Sequence, residues 1–348
     1  MRAHSAIGLP GLAVERIVHF DVGREFVKGG HVHFGFHDRK GNHYAISHRG
    51  HYIGLVGSDD SLKWTVAGHQ VIEGVPNIKA ELNFPIYIDG FDDGRLVVSN
   101  FGDSRLYLVD PASMRAELFF DGSKVKMRSA GNCVVDGEEN VWLNEVEGCK
   151  VWKLDRRGRP LMTLGTGDAG FQRGSVGFDE ARFSWIYDIR RGPEGAIYVL
   201  DSRNYAVRVI DPFRMKVETM AGTGKPGYGG DGMNAKKASF GGDPSARFDG
   251  PISLSLDREG NVYVGDRFNH VVRMIERGGD QISTVAGDSG YSGLEPNDDA
   301  ERNPLALRLP KISSMDYHDG LLMVPTDLTD QTGDLVVLRR QAPVAERL

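Results

Sequence analysis

The chain has 348 residues, 40% of them apolar and 26% charged, with a formal net charge of −6. This is the composition of a soluble globular protein, and its scattered basic residues leave no nucleic-acid footprint. No segment approaches the roughly 18 apolar residues of a spanning helix, and MRAHSAIGLPGLAVERIV has no apolar core of signal-peptide length, so the expectation is a cytoplasmic protein without membrane or nucleic-acid partners.

Glycine is abundant, at 45 residues, and short alternating runs ending in turn chemistry replace helical periodicity. In chain order the first is VERIVHFDV, residues 14–22. HVHFGFHDRKGNHYAISHRGHYIGLV follows, reading as strand, turn at Asp38 and Gly41-Asn42, strand, polar loop, strand, with LKWTVAG as a fourth run. PIYIDGFDDGRLVVSNFGDSRLYLVD repeats it with Gly94 at the turn, and NCVVDGEENVWLNEVEGCKVWKLD with Asp136 and Asn140, then PLMTLGTG. WIYDIRRGPEGAIYVLDSRNYAVRVID turns at Gly195 and leads to KVETMAG, while PISLSLDREGNVYVGDRFNHVVRMIE turns at Gly260-Asn261 and leads to QISTVAG. KISSMDYHDGLLMVPTDLTDQTGDLVVL turns at Gly320 and has no fourth run after it.

Six repeats of four short strands predict an all-β, six-bladed β-propeller occupying residues 1–348 as one domain. The blades are expected over about 31–68, 84–120, 130–165, 185–222, 250–287 and 310–340, with 14–22 completing the last. A strand from the opposite end of the chain would remove the exposed edge of that blade.

The repeats resemble those of the NHL-type propeller family: GNVYVGDRFNHVVRMI carries the Asn269-His270 pair that names it. AGTGKPGYGGDGMNAKKASF, residues 221–240, is similar to that family's inter-blade loop, and AGDSGYSGLEPNDDA is a looser copy. The resemblance implies the fold and leaves function open, because such propellers serve as lyases, lactonases and protein-binding platforms.

Strand side chains alternate, so residues two apart share a side. Aligning the units puts Val32, Ile86, Ile252 and Ile312 in one column, and Phe34, Ile88, Cys133, Ile189 and Leu254 in another, both expected between blades. The column between them, His33, Tyr87, Asn132, Asp188, Ser253 and Ser313, is polar and is expected to line the channel mouth. Deeper on the same phase lie Gly35, Asp89, Val134, Arg190, Ser255 and Met315, where the aspartate and arginine are expected to pair or hold water. Such a ring also has a plain reading, as channel wall hydrogen-bonded to water.

Asn132 and Asp188 would offer oxygen ligands from adjacent blades. The pair resembles the metal-holding Asn and Asp of gluconolactonase-type six-bladed propellers, with His33 where that family has a first-blade glutamate. The resemblance implies one divalent metal on His33, Asn132 and Asp188, calcium in the family and, with a histidine, zinc or iron here. Six of the chain's 11 histidines fall between His31 and Tyr52. His31, His33, His48 and His51 belong at the mouth face, His37 and His43 at the other. No helical His-x-x-x-His or Cys-x-x-Cys spacing is present. His51 aligns with His270 and reads as structural. His33 is the candidate ligand or general base, with His31 and His48 as helpers.

At the ends of the second strands, Ser47, Asn100, Asp201, Asp266 and Thr326 read as loop caps. Glu145 breaks that pattern as a candidate acid, base or ligand. Arg203 and Arg267 occupy matching loop positions where they would hold an anion, with Arg190, Asp89 and His48 as further substrate contacts. GTGKPGYGGDG lacks the Gly-Lys-Ser/Thr of a phosphate loop, so no nucleotide cofactor is expected. The long connections read instead as lids, with Phe171, Phe178, Tyr228 and Tyr291 walling a pocket. Cys133 and Cys149 sit a strand apart, too far for a disulfide.

Two classes of function follow. One is an enzyme on a small polar substrate, of hydrolase, lyase or isomerase type, using His33, Asp188, Tyr87 and Glu145 with a metal polarising oxygen. The other is a non-catalytic scaffold that binds a protein, peptide or glycan. The absence of a partner module in the sequence favours the enzyme.

Overall fold

The repeating alternation of apolar residues does fold into six blades. The computed structural model describes residues 12–21, 32–38, 40–48, 50–58, 61–68, 72–245, 250–291, 293, 295–298, 302–327 and 332–341, without the side chains of 18–21, 32–35 and 332–333.

Blade 1 comprises Val32–His37, His43–Ser47, Tyr52–Val56 and Leu62–Ala67. Blade 2 comprises Pro85–Gly90, Leu96–Asn100, Arg105–Asp110 and Arg115–Asp121. Blade 3 comprises Ala130–Val135, Val141–Glu145, Lys150–Leu154 and Pro160–Leu164. Blade 4 comprises Ile186–Arg191, Ile197–Asp201, Ala206–Asp211 and Lys216–Ala221. Blade 5 comprises Ser253–Leu256, Val262–Asp266, Val271–Ile275 and Ile282–Ala286. Blade 6 comprises Asp316–His318, Leu321–Asp327 and Thr332–Arg340, completed by the N-terminal strand Leu12–Asp21. That closing strand runs antiparallel to Thr332–Arg340, pairing Leu12 with Arg340 and Asp21 with Thr332. Arg339 adds a bidentate pair to Glu15 at 2.8 and 3.0 Å. Two short strands flank blades from outside: Asn77–Lys79 beside blade 1 and Ser175–Gly177 beside blade 4.

The inner strands of consecutive blades adjoin, and Val32–His37 meets Asp316–His318 to close the ring. Core side chains such as Ile46, Val98, Leu143, Val199, Val264 and Val324 are fully buried between blades. The first hairpins repeat one device. An aspartate caps its own turn (Asp38 accepting from Asn42 N at 2.9 Å, Asp257 from Asn261 N at 2.8 Å), and an aromatic six residues on donates to its other oxygen. Trp142 Nε1 does so for Asp136 at 2.9 Å. A second device precedes the third strands, where His51, Ser104, Cys149, Tyr205 and His270 all have φ between 49° and 58°. A left-handed residue at one repeat position identifies it as a requirement of the turn, which gives His51 and His270 a backbone role.

Blade 6 differs at its first hairpin. His318 pairs with Leu321 across only Asp319 and Gly320, with φ of 48° and 80°, the signature of a two-residue I′ turn. Blades 1 and 5 use the longer Asp-capped turn, so counting strand positions back from the turn glycine goes astray in blade 6. The structural register pairs Ile312 with Thr326 as it pairs Ile186 with Asp201, and Asp316 with Met323 as Arg190 with Tyr198. Ser314 and Asp316, in place of Ser313 and Met315, therefore stand level with Asp188 and Arg190. In blade 1, Phe36 pairs with Tyr44 at the level of Arg190, and His33 pairs with Ile46 before a bulge.

The long connections on either side of blade 4 are held down, and Phe171, Phe178, Tyr228 and Tyr291 do not line the channel mouth. Arg208 and Arg273, at one repeat position of the third strands, are fully buried and fasten them to their blades. Arg208 pairs with Asp201 at 3.2 Å and lies over the rings of Phe171 and Phe183. Arg273 pairs with Asp231 at 2.6 Å, donates to Gly229 O and Ser239 O, and lies over Tyr228 and Phe240. Phe178 is core, and Tyr291 bonds Glu295 at 2.7 Å. Cys133 and Cys149 are free and buried.

Candidate functional site

Inner strands begin with a bulge at one end of the channel, between Pro85 and Tyr87 in blade 2 and between Ile186 and Asp188 in blade 4. A bulge places two consecutive residues toward the same side. Ile86, Tyr187, Ile252 and Ser313 thus join Asn132, Asp188, Ser253 and Ser314 in lining a cavity of about 490 Å³ at that mouth. Ile86 and Ile252 were expected between blades; the bulge turns Ile86 into the channel, and Ile252 lies just before its strand, where alternation does not set its direction.

The residue at or just after the end of the second strand forms the rim in five blades. His48, Phe101, Val146, Arg267 and Asp327, from blades 1, 2, 3, 5 and 6, all line the cavity. Phe84 and Trp185 complete it, each in the left-handed region (φ 54° and 57°) just before an inner strand. The wall is thereby divided. Blades 2 to 4 supply Phe84, Ile86, Phe101, Val146, Trp185 and Tyr187 beside the polar Asn132 and Asp188, while blades 5, 6 and 1 supply Ser253, Arg267, Ser313, Ser314, Asp327 and His48 beside the apolar Ile252 and Phe36.

Asp188 anchors the polar interior. Its Oδ1 accepts Asn132 Nδ2 at 2.6 Å, Ile189 N at 2.8 Å and Arg190 Nη1; its Oδ2 accepts Leu254 N at 2.8 Å and Ser253 Oγ at 3.4 Å. Burial raises its pKa, and Arg190 opposes that rise. The guanidinium of Arg190 lies 4.7 Å from the ring centre of Tyr87 and 5.4 Å from that of Phe36, so cation and aromatics close the floor. Asp89, expected to pair with the deep arginine, accepts Gly90 N and Val135 N at 2.7 Å, while Arg190 pairs with Asp188 of its own strand. Tyr87 is buried against Arg190, and burial raises its pKa well above 10.0.

These contacts form ties around the ring. Asp89 holds Val135 N of the next blade, Asp188 holds Leu254 N, Ser253 Oγ accepts Met315 N at 2.7 Å, and Asp316 accepts His37 N at 3.1 Å. Glu145 stands outside the cavity, its oxygens accepting Arg128 N at 2.7 Å and Trp152 Nε1 at 2.8 Å. Arg203 is exposed and stacks 4.9 Å over Trp185. Arg267 is half-buried in the wall, its Nη1 donating to Lys311 O at 3.1 Å and Ile312 O at 2.8 Å, and desolvation lowers its pKa against the fields of Asp327 and Tyr187. His48 stacks on Phe84 at 4.9 Å, and its Nδ1 bonds Pro85 O. A carbonyl only accepts, so Nδ1 carries the proton and Nε2 is the acceptor nitrogen.

His31 and the side chain of His33 lie outside the described residues. The described remainder of the metal set does not fit a divalent ion: Asp188 is saturated by donors, one a guanidinium, and Asn132 is bonded to it. Among the described residues no three His, Cys, Asp or Glu side chains converge as a metal site. Sequence reading reached Asn132, Asp188, Ser253, Ser313, Arg267 and His48 but missed the aromatic wall. Its signal was the rim column itself, in which Phe101 and Val146 stand where Arg267 does.

No protein-family model matches the chain. It is 27% identical over 142 residues to the Arabidopsis thaliana chloroplastic protein SUPPRESSOR OF QUENCHING 1, a stretch covering 41% of this chain and 12% of that protein. It is 32% identical over 81 residues to NHL repeat-containing protein 2 of Gallus gallus, 23% of this chain and 10% of that one. The matches thus span about a tenth of these relatives' length. Among solved structures, virginiamycin B lyase from Staphylococcus aureus superposes with a TM-score of 0.55 at 10% identity, over 92% of this chain and 99% of that one. An auxiliary nutrient binding protein from Bacteroides thetaiotaomicron gives a TM-score of 0.62 at 14% identity, over 89% and 69%. At such identities the likeness is one of fold, and the chain is a six-bladed β-propeller with NHL-like relatives.

Proposed function

We propose that this propeller binds a small amphipathic organic molecule in the mouth cavity, with its flat apolar part against blades 2 to 4 and its polar edge toward blades 5, 6 and 1. The observation that carries this reading is the aromatic surface of Phe84, Phe101, Trp185 and Tyr187 on blades 2 to 4 sharing one cavity with Arg267, Asp327 and the serines of blades 5 and 6. Few polar groups set against apolar surface is the usual build of a small-molecule site. Neighbours of the fold include both a lyase and a nutrient-binding protein. The propeller repeats serve here as the frame.

The test is thermal-shift and tryptophan-fluorescence titration against a panel of aromatic and aliphatic metabolites, with Phe101→Ala alongside. Binding that weakens about tenfold in the variant, as loss of one buried aromatic wall predicts, supports the cavity. Ligands that bind the variant as well as the wild type place the site elsewhere.

One observation favours a second reading, a small-molecule lyase, hydrolase or isomerase. The backbone bond at Nδ1 fixes His48 with Nε2 as a proton acceptor on the cavity wall. Incubating each bound compound with wild type and His48→Gln and following it by mass spectrometry tests this. Conversion abolished by the substitution supports catalysis, and an unchanged compound returns the protein to binding alone.

A further inference from the structure

The buried arginines of this protein share one feature that Arg267 lacks. Arg190 pairs with Asp188, Arg208 with Asp201 and Arg273 with Asp231. A guanidinium removed from water without a counter-charge is costly, which is why such partners are the rule. Arg267 is drawn into the cavity wall and desolvated, yet no carboxylate among the described residues lies within ion-pair distance of it. Asp327 lines the same cavity from the next blade and reaches Arg267 only through its longer-range field.

The anchoring is one-sided. Nη1 is spent on the carbonyls of Lys311 and Ile312, which fixes the plane of the guanidinium. Nη2 and Nε donate to no described protein group, and the side chain lines the cavity. A fixed, partly dry guanidinium with donors to spare and no carboxylate of the described residues in contact with it suits an anion. Aromatic surface from Phe84, Phe101, Trp185 and Tyr187 stands in the same space, and about 490 Å³ has room for one or two fused rings.

Building on the proposed binding reading, we propose that Arg267 seats a carboxylate, so that the cavity selects small aryl or branched-alkyl monocarboxylic acids. Asp327 sets the charge limit, because a second negative charge on the ligand would meet its field. The carboxylate forms charge-assisted bonds to Nη2 and Nε, and the ring lies on the aromatic surface.

The test is calorimetric titration with 2-naphthylacetate, its neutral isostere 2-naphthylacetamide, and the dianion naphthalene-2,6-dicarboxylate. The wild type is expected to bind the monocarboxylate about tenfold more tightly than the amide, from one charge-assisted interaction, and the dicarboxylate less well than the monocarboxylate. Arg267→Gln is expected to lose the preference for acid over amide, and Arg267→Lys to restore part of it. An unchanged melting temperature certifies that the variants fold. Equal wild-type affinity for acid and amide overturns the anion seat while leaving the cavity reading standing. A preference that survives in Arg267→Gln removes Arg267 from the role. Failure of all three ligands to bind at millimolar concentration overturns both readings.

Discussion

Asp188 on blade 4 accepts the backbone N–H of Leu254 on blade 5 at 2.8 Å while the same carboxylate neutralises Arg190, two residues along its own strand. One side chain thus joins two blades and compensates a buried cation. Asp188, expected as a metal ligand or acid–base residue, also works as a link between blades.

Removing that link leaves Arg190 buried and unpaired. Asp188→Ala is expected to lower unfolding free energy by about 3–5 kcal/mol, the usual cost of breaking a buried pair from one side. The double variant Asp188→Ala/Arg190→Met is expected to recover part of the loss, because the stranded charge goes with its partner. Denaturant melts of these two variants and of Arg190→Met check this. A double variant weaker than the sum of the single losses would show that Arg190 contributes by stacking on Tyr87 and Phe36 more than by its charge.

Asp201 and Asp266 occupy the same repeat position with different duties. Each caps a loop, Asp201 through Ser184 N at 2.7 Å and Asp266 through Gly241 N at 3.0 Å. Only Asp201 also holds its blade's buried arginine, since Arg273 has Asp231 instead. Asp201→Asn is therefore expected to destabilise the protein more than Asp266→Asn, by about 2 kcal/mol if the uncompensated Arg208 is what matters. Equal losses would assign both effects to the loop caps.

Glu145 stands at that repeat position in blade 3, and its role follows from its partners. Both oxygens accept, from Arg128 N and Trp152 Nε1, so a glutamine there presents a donor to a donor. Glu145→Gln is expected to cost about 1–3 kcal/mol of stability and to leave ligand affinity at the cavity unchanged. A large change in affinity with unaltered melting would return Glu145 to the site.

The architecture was legible because each repeat carries its own turn chemistry: Asp257 with Gly260-Asn261 marks a hairpin without reference to the rest of the chain. So was the polar ring in blades 3 to 5, where Asn132, Asp188 and Ser253 do face the channel. Two things were not legible. The two-residue turn at Asp319-Gly320 shortens blade 6, so a count from the glycine is off by one there and Asp316 goes unnoticed. Bulges at the strand starts turn Ile86 and Tyr187 into the channel against the period of two. Phe84 and Trp185 precede the strands, where alternation says nothing about direction.

The seam between the last and first blades yields a pH prediction. His37 stacks between His318, at 4.2 Å, and His43, at 4.8 Å, and its Nδ1 lies 2.6 Å from Asp316. Burial first, and then the neighbouring His37, lower the pKa of His318 below 6.5, with Arg258 adding to the effect and Asp319 and Asp316 opposing it. A histidine whose folded pKa is depressed takes up its proton more readily when unfolded, so the unfolded state gains protons first as pH falls below 6.5. This group therefore stabilises the fold less in acid and recovers as pH rises toward 6.5. Asp201 and Asp266, pushed up to about 6 by burial, act in the opposite sense between 3.8 and that value. The wild-type curve alone mixes the two effects, and the difference between wild type and His318→Gln isolates the histidine. Urea melts from pH 5 to 8 are expected to show that difference shifting toward the variant as pH drops below 6.5. A difference constant across the series would mean that protonating His318 is no harder in the folded seam than in the unfolded chain.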